Sequence, residues 1–170
     1  MPATLSHGEF LKVFDLGVFI IGAAGIGKST LALELLERGH QLIADDAVFF
    51  QQQDEQISGY CPDLLKNCLA IRDLGILDIS KLFGMTAVCP ACQLDVVIRL
   101  VPELPPREPS LHAVHDGFFM LGRTFPQINI IASKYRNLAL VTEIAVKNHI
   151  LYKQGIDANQ RFLKKQQHFI

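Results

Sequence analysis

The stretch GAAGIGKS, residues 22–29, matches the pattern G-x-x-x-x-G-K-[ST] in full. That pattern restricts the fold strongly, because it works only between a buried strand and a helix. Both flanks are present. GVFIIG, residues 17–22, is a short apolar run ending at glycine, which suits a strand covered on both faces. Residues 28–38 then carry Leu31, Leu35 and Leu36 at helical spacing, and Gly39 supplies a stop. QLIADD, residues 41–46, reads as a second buried strand. Strand, glycine loop, helix and strand make a βαβ unit, so this part of the sheet is expected to be parallel. LDVVIRLV (94–101) and QINIIA (127–132) read as further strands. NLALVTEIAVKNHILYKQG (137–155) reads as a long helix closed by Gly155, and Asp157 as the cap of a last helix.

The chemistry follows from the loop. Its glycines let the backbone curl until several N–H groups converge on one phosphate, and the helix N-terminus adds partial positive charge. The expected cradle is Gly22, Ala23, Ala24, Gly25, Ile26, Gly27, Lys28, Ser29 and Thr30. Lys28 brings a mobile full charge for the outer phosphates, and the Ser29 hydroxyl is a Mg²⁺ ligand. Asp45 and Asp46 end the second strand, where P-loop proteins commonly keep a carboxylate facing the metal. Adjacent residues at a strand end point in different directions. One carboxylate is free to face Mg²⁺ and the other a second substrate.

Bulk properties narrow the class. A length of 170 residues fits a single domain, read here as 1–170. A net charge of −1 gives no footprint for nucleic acid or an anionic membrane. No apolar run is long enough to span a bilayer, and the first ten residues lack a signal-peptide pattern, so a cytoplasmic protein is expected. Cys61, Cys68, Cys89 and Cys92 then read as thiols. CPAC (89–92) has CxxC spacing and HAVH (112–115) lies downstream, but the histidines are closer together than in zinc fingers. The plainer reading is a loop with two small buried thiols. VPELPPREPS (101–110) holds four of the eight prolines and reads as a stiff surface loop.

Three segments together resemble the catalytic domain of bacterial HPr kinase/phosphorylase. They are HGEFLKVFDLGVFIIGAAGIGKSTLALELLERGHQLIADDAV (7–48), LAIRDLGILDISKLFG (69–84) and YRNLALVTEIAVKN (135–148). The resemblance implies a P-loop α/β core related to phosphoenolpyruvate carboxykinase, with a mixed sheet and flanking helices. It implies a Mg²⁺-dependent serine kinase that takes the phosphoryl group from ATP, or from pyrophosphate, and places it on the phosphocarrier HPr. The reverse reaction, phosphorolysis of phosphoserine-HPr by inorganic phosphate, gives pyrophosphate. A homo-hexamer is also implied. By the same resemblance Lys28 is the P-loop lysine and Ser29 a magnesium ligand. Asp46 is the acid/base, Asp45 sits beside it near the metal, and His7 orients Asp46 or shares its proton. Arg72 and Arg136 hold phosphate oxygens, and Arg107 stands for the catalytic loop arginine.

This chain departs from the family pattern in three places. The family's magnesium-binding glutamate is Ala70 here, and a methyl group binds no cation; water or a nearby carboxylate such as Asp73 is left to compensate. SKYRN replaces the usual proline-glycine before Arg136. Only six residues precede His7, so the sequence is a short form or a piece of a longer protein. The altered positions keep open a nucleotide- or phosphate-sensing module with little catalysis; a separate alternative is a P-loop kinase for a small molecule, which a deep closed pocket would favour.

Overall fold

The computed structural model describes residues 2–103 and 115–168. In chain order the strands begin with β1 (Thr4–His7), β2 (Glu9–Val13) and β3 (Leu16–Ile21), before helix α1 (Lys28–Glu37). Next come β4 (Gln41–Ala44), β5 (Ala47–Gln53), β6 (Gln56–Tyr60), β7 (Cys68–Ile71) and β8 (Gly75–Asp78), then helix α2 (Ile79–Phe83). The chain continues through β9 (Ala91–Gln93), β10 (Val96–Pro102), β11 (His115–Met120) and β12 (Arg123–Ala132) to helices α3 (Leu138–Lys153) and α4 (Ala158–Gln167).

The main sheet has six strands in the order β11-β12-β10-β3-β2-β4. Strands β3, β10 and β12 are mutually parallel, while β11 pairs antiparallel with β12. The βαβ unit around the glycine loop differs from the simple expectation. Strand β2 lies between β3 and β4 and is antiparallel to both, so β3 and β4 run parallel without touching. The cause is a tight hairpin: β2 turns into β3 through Phe14 and Asp15, both at positive φ (48° and 64°). Two such residues make the turn whose twist matches paired strands. Neither is the glycine or asparagine that normally announces it. A second departure is at Val101 and Pro102, which pair with Ile131 and Ala132 as the end of β10 and so are not loop.

Alternation along β3 sorts two cores. Val18 and Ile20 face Leu31, Leu35 and Leu36 of α1, together with Ala139 and Val146 of α3. Phe19 and Ile21 face the other way, toward Phe10, Val48, Phe50 and Ile57. That second core is closed by a four-stranded sheet in the order β1-β5-β6-β9. Phe50 meets Phe10 and Phe19 edge-on at 5.3 and 5.0 Å, the arrangement aromatic quadrupoles favour. The site therefore sits on a sheet buried on both faces.

Helix ends follow their sequence signals. Gly39 takes φ 91° after α1. His40 N–H then donates to Leu35 O, and Gly39 N–H to Leu36 O, which is the Schellman closure. Asn137 caps α3 through Leu140 N–H, and Asp157 caps α4 through Gln160 N–H.

Candidate functional site: a phosphate cradle beside two carboxylates

The glycine loop leaves β3 at its C-terminal end and enters α1 at Lys28. Gly25 and Gly27 take φ of 77° and 108°, a region that costs an L side chain about 1–2 kcal/mol. Gly27 is also the N-cap of α1 and offers no side-chain oxygen to the first turn. The N–H groups of that turn are thus left for a ligand, as an anion site requires. Lys28 Nζ donates to Gly22 O at 3.0 Å and Ala23 O at 3.1 Å, so the ammonium spans the mouth of the loop.

Two clefts share Gly27 and Thr30. One, of about 290 Å³, is lined by Gly25, Lys28, Ser29, Ala70 and Arg72. The other, of about 740 Å³, runs along α1 to Ser133, Lys134, Arg136 and Asn137. Arg72 therefore lines one cleft beside the cradle and Arg136 the other. Arg72 is presented by the β7–β8 hairpin, which packs on α1 through the buried Leu69. The larger cleft falls within the size range of sites that take drug-sized ligands.

The carboxylates stand just past β4, which ends at Ala44. Ala47 N–H donates to Asp45 O at 2.6 Å, and Asp46 at the centre of this three-residue turn has φ 62°. The turn sends the two neighbours apart. Asp45 is 7% exposed, whereas Asp46 is open to solvent. His7 pairs with Ala47 across β1 and β5, and Gly8 N–H donates to Asp46 O at 3.1 Å. The backbone thus brings His7 alongside Asp46. Arg107 and His112 lie outside the described residues.

Glu9 has no place in the sequence reading, yet it joins these parts. It is 2% exposed and accepts a hydrogen bond from Ser29 Oγ at 3.2 Å. Burial, reinforced by the adjacent Asp45 carboxyl, pushes the Glu9 carboxyl up to about 9. Asp45 Oδ2 accepts from Ala70 N–H at 2.7 Å. Glu9 Oε2 and Asp45 Oδ1 are left buried with no hydrogen-bond partner. Orphaned buried oxygens beside a P-loop hydroxyl fit a hard cation, which takes oxygen donors. Among the described residues no group of three or more His, Cys, Asp or Glu forms a closed metal cage. Mg²⁺ does not need one, since it is typically held by one or two carboxylates plus water and substrate phosphates. One sequence signal pointed to Glu9: it shares the inward face of β2 with Leu11 and Val13, where an acid is out of place.

Asp73, named with water as a stand-in for a glutamate at 70, is at the exposed hairpin turn with φ 71°. Behind the site, Glu143 of α3 receives Arg38 Nη2 and pairs with His40 Nε2 at 2.7 Å. The Arg38 guanidinium, with His40 assisting, holds the Glu143 carboxyl down near 2. The cysteines are free thiols; Cys61, Cys89 and Cys92 pack against the aromatic core. Burial pushes Cys61 and Cys92 up to about 11, which makes them inert. Among the described residues no helix is long and apolar enough to cross a membrane.

A sequence profile described as "HPr Serine kinase C-terminal domain" matches residues 1–166. A protein of Bordetella avium named HPr kinase/phosphorylase is 43% identical over 170 residues, covering 97% of this chain and 54% of its own length. One of Chromobacterium violaceum with the same name is 39% identical, covering 99% of this chain and 54% of its own. The chain therefore spans about half the length of the curated relatives it matches. Among solved structures, "Structure of the Hpr(Ser) kinase/phosphatase from Coxiella burnetii" superposes with a TM-score of 0.84 at 36% identity, covering 94% of this chain and 98% of that one. The mixed sheet with flanking helices is thus the phosphoenolpyruvate-carboxykinase-like P-loop fold expected from the sequence. With its phosphate cradle, its strand-end carboxylates and this match over nearly its whole length, the chain belongs to the HPr serine kinase C-terminal domain family.

Proposed function

We propose that residues 1–170 act as one catalytic unit that transfers the γ-phosphoryl group of ATP to a serine of HPr. The observation that carries this reading is the chain Ser29–Glu9–Asp45, which seats the cradle against the turn holding Asp46 in solvent. An exposed carboxylate beside a phosphate cradle suits a protein substrate better than a small molecule held in a closed pocket.

In this reading the loop amides and Lys28 grip the phosphates, and Arg72, Arg136 and Arg107 neutralise charge on the oxygens. The nucleoside occupies the larger cleft along α1. Ser29 and Asp45 are the residues that would hold Mg²⁺, which when bound neutralises charge on the phosphate oxygens. The serine oxygen of HPr attacks the γ-phosphorus, the bond to the β–γ bridging oxygen breaks, and ADP leaves. The serine proton passes to the Asp46 carboxylate, with His7 orienting that carboxylate. In reverse, an oxygen of inorganic phosphate attacks the phosphoserine phosphorus. Pyrophosphate forms, and Asp46 returns the proton to the departing serine oxygen. The active form is a cytoplasmic homo-hexamer that does not act on nucleic acid or at membranes.

The test is transfer to purified HPr, run forward with ATP and Mg²⁺ and backward from phosphoserine-HPr with inorganic phosphate. Phosphoserine in the first and pyrophosphate in the second support the reading. Nucleotide binding with no transfer in either direction rejects it. Ala70, which brings no oxygen to the cleft, favours a second reading: a nucleotide sensor that binds a partner only when loaded. Partner binding that depends on ATP, with turnover no faster than that of the Asp46→Asn variant, would select the sensor.

A further inference from the structure

Relying on the kinase reading only for the identity of the cation, we propose that Glu9 is a ligand of Mg²⁺, completing with Ser29 and Asp45 the site that the Ala70 side chain cannot serve. Three observations converge. Glu9 Oε1 and Ser29 Oγ lie 3.2 Å apart, close to the roughly 3 Å between neighbouring donors around an octahedral ion with bonds of about 2.1 Å. Glu9 Oε2 and Asp45 Oδ1 are both buried with no donor from the surrounding chain, so the two adjacent carboxyls have only each other, a pairing that needs either a shared proton or a cation between them. Finally, Asp45 Oδ2 is tied to Ala70 N–H at 2.7 Å. That bond orients the carboxylate and leaves its other oxygen for the ion.

The placement follows from the fold. Strand β2 lies next to β3, and its inward face looks toward the first turn of α1. A carboxylate at its first position therefore approaches Ser29 from beneath the loop. Ala70 borders the same space from the β7–β8 hairpin, since its backbone bonds Asp45 and its side chain lines the cleft with Ser29. Position 70 and position 9 are thus two routes by which a carboxylate can enter one site.

The experiment is Mn²⁺ binding to the full chain, followed by the electron paramagnetic resonance signal of free Mn²⁺, with a non-hydrolysable ATP analogue present and HPr absent. Glu9→Gln is expected to weaken Mn²⁺ at least tenfold. It should leave metal-free affinity for the analogue within threefold. The double variant Glu9→Gln/Ala70→Glu is expected to recover Mn²⁺ affinity to within about threefold of the parent. Metal-free Glu9→Gln should melt within a few degrees of the parent, since glutamine keeps the shape of the side chain; that separates lost coordination from lost folding. Mn²⁺ affinity within twofold of the parent in Glu9→Gln overturns the proposal. So does failure of Ala70→Glu to rescue, or absence of Mn²⁺ binding in the parent chain. Because HPr is absent, failed transfer to HPr with these Mn²⁺ results intact rejects the substrate and not the ligand.

Discussion

Gly27 and Lys28 show how single residues set the cradle. Gly27 holds φ 108° at the N-cap of α1, and an added Cβ there would meet no atom within 4 Å. The cost of Gly27→Ala is therefore backbone strain alone, about 1–2 kcal/mol, and urea unfolding should register it without loss of cooperativity. Lys28 acts by charge. Replacing it with alanine removes the ammonium that bridges Gly22 O and Ala23 O and that would meet the outer phosphates. A charge-assisted bond is worth about 1.5–3 kcal/mol, so ATP affinity by calorimetry should fall roughly 10- to 100-fold. These roles were legible because they are local: the pattern of residues 22–29 encodes both the turn and the charge. Glu9 was not. Alternation within GEFLKVF marks it only as an acid on an apolar face; its role comes from Ser29 and Asp45 reaching it from two other segments, which no local spacing records.

At the scale of elements, α1 and α3 are clamped where Arg38 and His40 meet Glu143. Arg38 is the C-cap of α1, so its guanidinium charge also opposes the partial negative charge of that helix end. Glu143 is buried and its carboxyl is held near 2, below the 4.5 of an unconstrained glutamate. The sign is then fixed. The clamp stabilises the fold fully above about pH 4.5, and the contribution is lost as pH falls toward 2. Glu143→Gln should cost about 1–3 kcal/mol at neutral pH. The gap in urea midpoint between the variant and the parent should close across the same acid range. A gap that is constant with pH would contradict the pairing. The helices themselves were readable from leucine spacing, Gly39, Asn137 and Asp157, which act within one turn. The β2–β3 hairpin was not, because Phe14 and Asp15 adopt a turn that usually takes Asn or Gly. Contacts from afar compensate: Lys147 Nζ lies 4.8 Å over the Phe14 ring, and His40 meets its edge at 4.9 Å.

Across the whole molecule, a main sheet covered by helices on one face and a second sheet on the other gives the site a rigid floor. Phe50 belongs to the second sheet and is fully buried against Phe10 and Phe19. Phe50→Ala should destabilise by about 3–5 kcal/mol, measured as a lower urea midpoint. The parallel strands of the main sheet were legible as continuous apolar runs. The second sheet was not, since β1, β6 and β9 are short and partly exposed, and only their cross-strand partners define them. The site joins both sheets, for Asp46 sits on the turn between β4 of one and β5 of the other. The central claim is that this junction lets a nucleotide on Lys28 pass its phosphoryl group to a serine whose proton Asp46 takes. It is tested most directly by single-turnover transfer from labelled ATP to HPr, comparing the parent chain with Asp46→Asn at saturating nucleotide. The account predicts phosphoserine-HPr with the parent and at least a 100-fold slower step with the variant, at nucleotide affinity unchanged within threefold. Transfer by Asp46→Asn at the parent's rate would contradict it.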